Sequence, residues 1–180
     1  MEQALNISKH GSQLWTRDLA RTIRGEVEKL LEKAQAGDTV IIDLKGVEAF
    51  DYSFANELFG TAILRLSKEH PDRFLVVDNL TSYIRENLSK ALESLGLIMI
   101  ERKGGKLQLL GKMHPADQET FHAIERAGEP VTAAALKDKL GINLTAVNER
   151  LTKLSGLSVI RRKASVSTAG RQQYEYTVLK

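Results

Sequence analysis

The chain has 180 residues, 42% hydrophobic and 27% charged, and no cysteine. That composition is that of a soluble globular protein with room for one ordinary domain or two small ones, and the missing thiols exclude disulfides, thiolate metal sites and thiol nucleophiles. The formal net charge of +3 is uneven: residues 1–112 carry 16 basic and 16 acidic side chains, whereas residues 113–180 carry 10 and 7. The whole excess is therefore C-terminal, where it favours a polyanionic partner. No apolar run approaches the roughly 20 residues of a membrane span. The start MEQALNISKHGS lacks the apolar core of a signal peptide, so a cytoplasmic protein with no membrane partner is expected.

In chain order, residues 3–8 alternate weakly and read as a first strand, turned by His10-Gly11-Ser12. Residues 15–34 place Leu19, Ile23, Val27, Leu30 and Leu31 at helical spacing, giving an amphipathic helix that ends at Ala36-Gly37-Asp38. Val40, Ile41 and Ile42 form a short β-branched run, the pattern of a buried strand over residues 39–44. From Phe54 the period changes: Phe54, Leu58, Ala62 and Leu66 recur every fourth residue, a helix reaching about Lys68 before His70-Pro71-Asp72 breaks it. Residues 74–77 read as another buried strand. A helix follows, capped by Thr81 or Ser82 and stopped by Gly96, and then residues 97–100 and 107–110 as a hairpin. Strands alternating with helices over short links define a mixed α/β layer structure through residue 110.

Residues 111–115, Gly-Lys-Met-His-Pro, mark a change of composition and read as a linker. Beyond it the pattern gives helices over 116–127, 133–140 and 144–154, with Gly141-Ile142-Asn143 as a tight turn between the last two. Residues 158–163 and 172–179 read as strands around Ser167-Thr168-Ala169-Gly170, with Tyr174, Tyr176 and Val178 alternating against polar neighbours. Three helices followed by a hairpin form a small α+β winged helix-turn-helix plan over residues 116–180.

The segment VTAAALKDKLGINLTAVNERLTKLSGLSVIRRK, residues 131–163, resembles the winged helix-turn-helix of bacterial transcription regulators. Leu136, Leu140-Gly141-Ile142, Val147, Leu151 and Leu154-Ser155-Gly156-Leu157 carry the likeness; Lys137 stands where the pattern usually has a small residue. The resemblance implies that the second helix enters the major groove of double-stranded DNA. Thr145, Asn148, Glu149, Lys153 and also Thr152 then face outwards, and Arg161, Arg162, Lys163 and Arg171 stand on the wing for phosphate or minor-groove contact. Asn and Lys suit base edges or phosphates, while Glu149 repels phosphate unless it reads a cytosine amino group. A protein-docking use of the same module stays open.

Residues 7–110 resemble the STAS-like family, relatives of the STAS domains of anti-sigma-factor antagonists. The likeness lies in Thr16-Arg17-Asp18-Leu19-Ala20-Arg21, Ile42-Asp43-Leu44-Lys45-Gly46-Val47, Ser53-Phe54-Ala55-Asn56-Glu57-Leu58-Phe59 and His70-Pro71-Asp72. It implies a non-enzymatic α/β partner-switching regulator over residues 1–110, with a serine at the start of the central helix phosphorylated by a histidine-kinase-like ATPase that is also a partner. Tyr52 occupies the position usually modified, Ser53 follows it, and Phe54 replaces a glycine. Asp51, Tyr52 and Ser53 are thus the candidate switch, with Asn56 and Glu57 as exposed partner contacts; a homodimer is the other partner expected. Asp51 or Ser53 also reads as a plain N-cap.

Enzyme chemistry finds little support. The four histidines are scattered without metal-binding spacing. The segment from Gly105 to Met113 is one residue too long for a phosphate loop and lacks its hydroxyl ligand. Asp51 and Glu57 come with no nucleophile, oxyanion donor or metal. No catalytic residue, metal or cofactor is expected.

Overall fold

The β-branched and aromatic runs Thr39–Asp43 and Phe74–Asp78 form adjacent parallel strands in the computed structural model, which describes residues 1–179. Two units make up the chain, Met1–Lys112 and Met113–Lys180. Elements of the first, in order, are β1 (Glu2–Asn6), β2 (Gln13–Leu14), α1 (Arg17–Lys33), β3 (Thr39–Asp43) and β4 (Ala49–Phe50). They continue with α2 (Tyr52–Ala55), a π-helical turn (Asn56–Gly60), α3 (Thr61–Glu69), β5 (Phe74–Asp78), α4 (Ser82–Leu95), β6 (Met99–Lys103) and β7 (Lys106–Leu110). A five-stranded sheet in the order β1-β3-β5-β6-β7 is parallel except for β6 with β7. This is a mixed α/β fold dominated by parallel strands.

Strands β3, β5 and β6 are buried on both faces, which is why their sequences read as apolar runs rather than alternations. Val40, Ile42, Leu75, Val77 and Met99 belong to the core shared with the helices, while Ile41, Val76 and Ile100, pointing the other way, are equally inaccessible. From the helices, Ile23, Val27, Phe54, Leu58, Phe59, Ile84 and Leu88 enter the same core.

Several boundaries differ from the sequence reading. Residues 7–10 leave the first strand as a 3₁₀ turn, capped by the Asn6 side chain accepting from the Ser8 N–H. The first hairpin strand begins two residues later, at Met99, and runs on to Lys103, while the second begins one residue earlier, at Lys106, because Gly104 and Gly105, at φ +56° and +76°, close a two-residue turn between them. The short parallel pair β2–β4 has no periodicity of its own and was not legible.

Gly111 ends β7 under a tight constraint. At φ +96°, a Cβ there would lie 2.3 Å from the Leu97 carbonyl oxygen, a clash with backbone rather than with a movable side chain. Its N–H donates to Ser89 Oγ at 3.2 Å.

The second unit holds α5 (Pro115–Ala127), β8 (Val131–Thr132), α6 (Ala133–Leu140), α7 (Leu144–Gly156), β9 (Arg161–Val166) and β10 (Gln172–Thr177). Its three-stranded antiparallel sheet has the order β8-β10-β9. Each helix has a side-chain cap: His114, Thr132 and Asn143 accept from N–H groups of the first turn of α5, α6 and α7. Phe121, Ile124, Leu136, Val147, Leu151 and Leu154 are all buried. Strand β9 starts three residues later than its apolar signal suggests. Ser158 adopts φ +57°, and Val159 and Ile160 are buried before the strand begins.

Two polar interactions inside the first unit set testable stabilities. Glu101, 1% exposed, accepts from Arg85 Nε at 2.9 and 2.8 Å and also pairs with its Nη2, joining β6 to α4. Arg85→Ala leaves that carboxylate buried without its cation, and urea unfolding should show a loss of about 3 kcal/mol. Asp43, at the carboxyl end of β3, is partly buried, which raises its pKa. Hydrogen bonds from Asn79, the Lys45 N–H and Asn6 outweigh that and hold the carboxyl below the ordinary aspartate range. Its contribution is therefore complete above about pH 4 and is lost as pH falls through the lowered value. Asp43→Asn should flatten the decline of unfolding free energy between neutral and acid pH, measured by urea titration at a series of pH values.

Candidate functional site

At the junction before α2, Asp51 is the N-cap: its Oδ1 accepts from the Phe54 N–H at 2.7 Å. Ser53 lies inside the first turn, half-buried, so the capping role falls to Asp51 alone. Tyr52 is 50% exposed, and its hydroxyl donates to Ser94 Oγ at 2.7 Å while Ser94 Oγ donates to the Ala91 carbonyl at 2.8 Å. That chain ties the start of α2 to the last turn of α4.

The helix then widens into the π-turn, where the Thr61 N–H donates to the Asn56 carbonyl, five residues back. Leu58, Phe59 and Gly60 are three consecutive buried residues. On a regular α-helix three consecutive residues span about 200°, more than a single core-facing stripe covers. The π-turn resets the phase so that the helix can pack against both α1 and α4. Gly60 permits the approach to α4, since a Cβ there would lie 2.7 Å from Leu95 Cδ1.

Asn56 and Glu57 sit in this turn, and neither is fully exposed. The Glu57 carboxylate pairs with Arg24 and lies 3.4 Å from Arg21 Nε, while Arg24 Nη1 also donates to the Glu57 carbonyl at 3.3 Å. Arg24 continues to Glu28, and Glu28 to Arg65. The expected partner contact at Glu57 is thus internally neutralised, and Tyr52 is the exposed member of the junction. Spacing on a single helix could not reveal this network, because its partners are 33 and 37 residues apart.

In the second unit, Thr145, Asn148, Glu149, Thr152 and Lys153 line one open depression of about 510 Å³ on the outer face of α7. These are the five residues the helical period turns outwards. Their charges are not equivalent. Lys153 Nζ is held by Asp117 of α5, a carboxylate only 8% exposed, and Arg150 donates to the Ala116 carbonyl and to Thr120 Oγ1, both at 3.2 Å. Both cations of α7 fasten it to α5.

The basic run of β9 is divided, because consecutive strand residues face opposite sides. Arg162 shares a face with Tyr174 and stacks on its ring, 3.6 Å from guanidinium carbon to centroid. Arg161 and Lys163 take the other face; Arg161 is half-buried and Lys163 exposed. Arg171 is exposed at the start of β10, where its N–H donates to Ser167 Oγ at 3.1 Å.

Among the described residues, no group of three or more His, Asp or Glu side chains is placed to hold a metal, and no helix is long and apolar enough to cross a membrane.

Residues 20–85, spanning α1 to the start of α4, match the family described as a STAS-like domain of unknown function (DUF4325). The mixed, mainly parallel sheet with its helices agrees with such a domain. No curated protein matches the chain. Among solved structures, a possible transcriptional regulator from Methanosarcina mazei Go1 aligns with 17% identity and a TM-score of 0.35, over 38% of this chain and 57% of that one. An overlap of that size does not define a shared fold.

Asp51→Ala should lower the unfolding free energy by about 1 kcal/mol, whereas Ser53→Ala should change it by less than about 0.5 kcal/mol. Chemical denaturation of the two variants side by side separates the cap from its neighbour.

Proposed function

We propose that this protein is a non-enzymatic regulator in which a STAS-like partner-binding domain controls a DNA-binding winged helix, with transcription regulation as the output. The observation that carries the reading is the make-up of the second unit. Two capped helices, α6 and α7, meet across a three-residue turn; the five side chains lining the depression on α7 are all polar; and the β9–β10 hairpin presents Arg162, Lys163 and Arg171 to solvent. In this reading α7 enters the major groove of duplex DNA and the hairpin cations engage phosphates.

The STAS-like unit supplies the input. Its partner is a histidine-kinase-like ATPase or a second copy of the chain, received at the junction around Asp51, Tyr52 and Ser53. A phosphate on Ser53 would add negative charge beside the Asp51 carboxylate and weaken a contact made in the unmodified state. Regulation then consists of a coupling free energy between that junction and DNA affinity.

A second reading, a protein-docking adaptor without DNA, draws support from the Lys153–Asp117 pair, which leaves α7 without a free cation. A salt titration separates the two. If the DNA reading is right, the full chain retards duplex DNA at low salt, and Arg162→Ala/Lys163→Ala weakens binding on all sequences while reducing the slope of log K against log salt by about two. Absence of retardation at low salt supports the adaptor.

A further inference from the structure

Glu149 and Lys153 are four residues apart on α7, with the acid N-terminal, which is the favourable orientation for a helical ion pair. The pair does not form. Lys153 Nζ turns to Asp117 of α5, and because Asp117 is 8% exposed its carboxylate needs that cation more than an exposed glutamate does. On the other side, Arg150 is committed to Ala116, Thr120 and, at 3.7 Å, Glu119. Among the described residues Glu149 has no ion-pair or hydrogen-bond partner, although basic residues lie one and four positions away. Its carboxylate stands on the exposed face with Thr145, Asn148 and Thr152, lining the open depression.

We propose that Glu149 is a specificity-determining residue that reads a cytosine in the major groove, accepting a hydrogen bond from its exocyclic amino group. The inference rests on the DNA reading above. In the groove an acceptor-only side chain close to phosphates is unfavourable except where it meets a donor. Among the bases cytosine offers an N4 amino donor with no adjacent major-groove acceptor from the same base, whereas adenine couples its donor to the N7 acceptor. Asn148 and the two threonines can serve as donor or acceptor and tolerate several bases. Glu149 does not. Lys153 shares the depression, but its charge is balanced by Asp117 rather than by Glu149, so the carboxylate's cost on wrong sequences is retained and becomes discrimination. Affinity then comes from the hairpin cations, and selectivity from an acid on the helix.

The test uses the full chain and a duplex library with a randomised core, selected separately with wild type, Glu149→Gln and Asp117→Asn. Wild type should enrich a motif with one position fixed as cytosine, and replacing that C·G pair by T·A should weaken its binding roughly tenfold. Glu149→Gln should lose the cytosine preference, keep the other positions, and bind unselected DNA more tightly because a negative charge has gone. Asp117→Asn frees Lys153 to pair with Glu149 and should blunt the same position, with helix content checked by circular dichroism. If wild type and Glu149→Gln enrich the same base at every position, the assignment of Glu149 is wrong while DNA binding stands. Failure of wild type to retain any duplex at low salt overturns the DNA reading and this assignment with it.

Discussion

The requirement that β3 and β5 be covered on both faces governs the first unit. Their residues alternate direction, yet Ile41 and Ile42, like Val76 and Val77, are all withdrawn from water. Because β1, β3 and β5 pair in parallel, each connection must carry the chain back to the start of the sheet, and α1 before β3 and the run from α2 through α3 before β5 do so. The π-turn follows from the same demand. A helix wedged between α1 and α4 must bury more than one stripe, and changing phase at residues 56–60 achieves it. What the fold then leaves accessible at the junction is small: the Tyr52 ring and part of the turn around it.

Much of this was readable from the residues. Apolar runs located β3 and β5, fourfold spacing located α1, α3 and α4, and the turn at Gly141-Ile142-Asn143 located α6 and α7. These signals are local, so the sequence carries them openly. The first turn at Tyr52 was less visible, because the apolar stripe begins two residues later at Phe54. Strand β8 is two residues long and depends on its pairing with Tyr176 and Glu175, far along the chain. A pattern of that length has no period to detect.

Charge was the least legible property, and it bears most on function. On the sequence, Glu57, Lys153 and Arg161 are ionisable residues at plausible surface positions. In three dimensions Glu57 is held by Arg24 and Arg21, Lys153 by Asp117, and Arg161 is half-buried. The partners come from other elements, and a partly buried acid draws a cation away from the closer exposed one, as Asp117 does with Lys153. Counting basic residues in a segment therefore overstates the cations offered to a partner. The hairpin residues Arg162, Lys163 and Arg171 retain that capacity, and the stacking of Arg162 on Tyr174 restricts where its guanidinium can point.

Gly111 has a practical bearing on how this architecture can be recombined. The Leu97 carbonyl leaves no room for a Cβ at this position and its N–H is bonded to Ser89, so the contacts of the first unit run at least this far. A graft of residues 1–112 onto a different output module should therefore place the seam after Lys112 and keep the glycine native. A fusion cut a few residues earlier removes part of β7 and exposes the edge of β6, turning a modular exchange into a problem of strand pairing and aggregation.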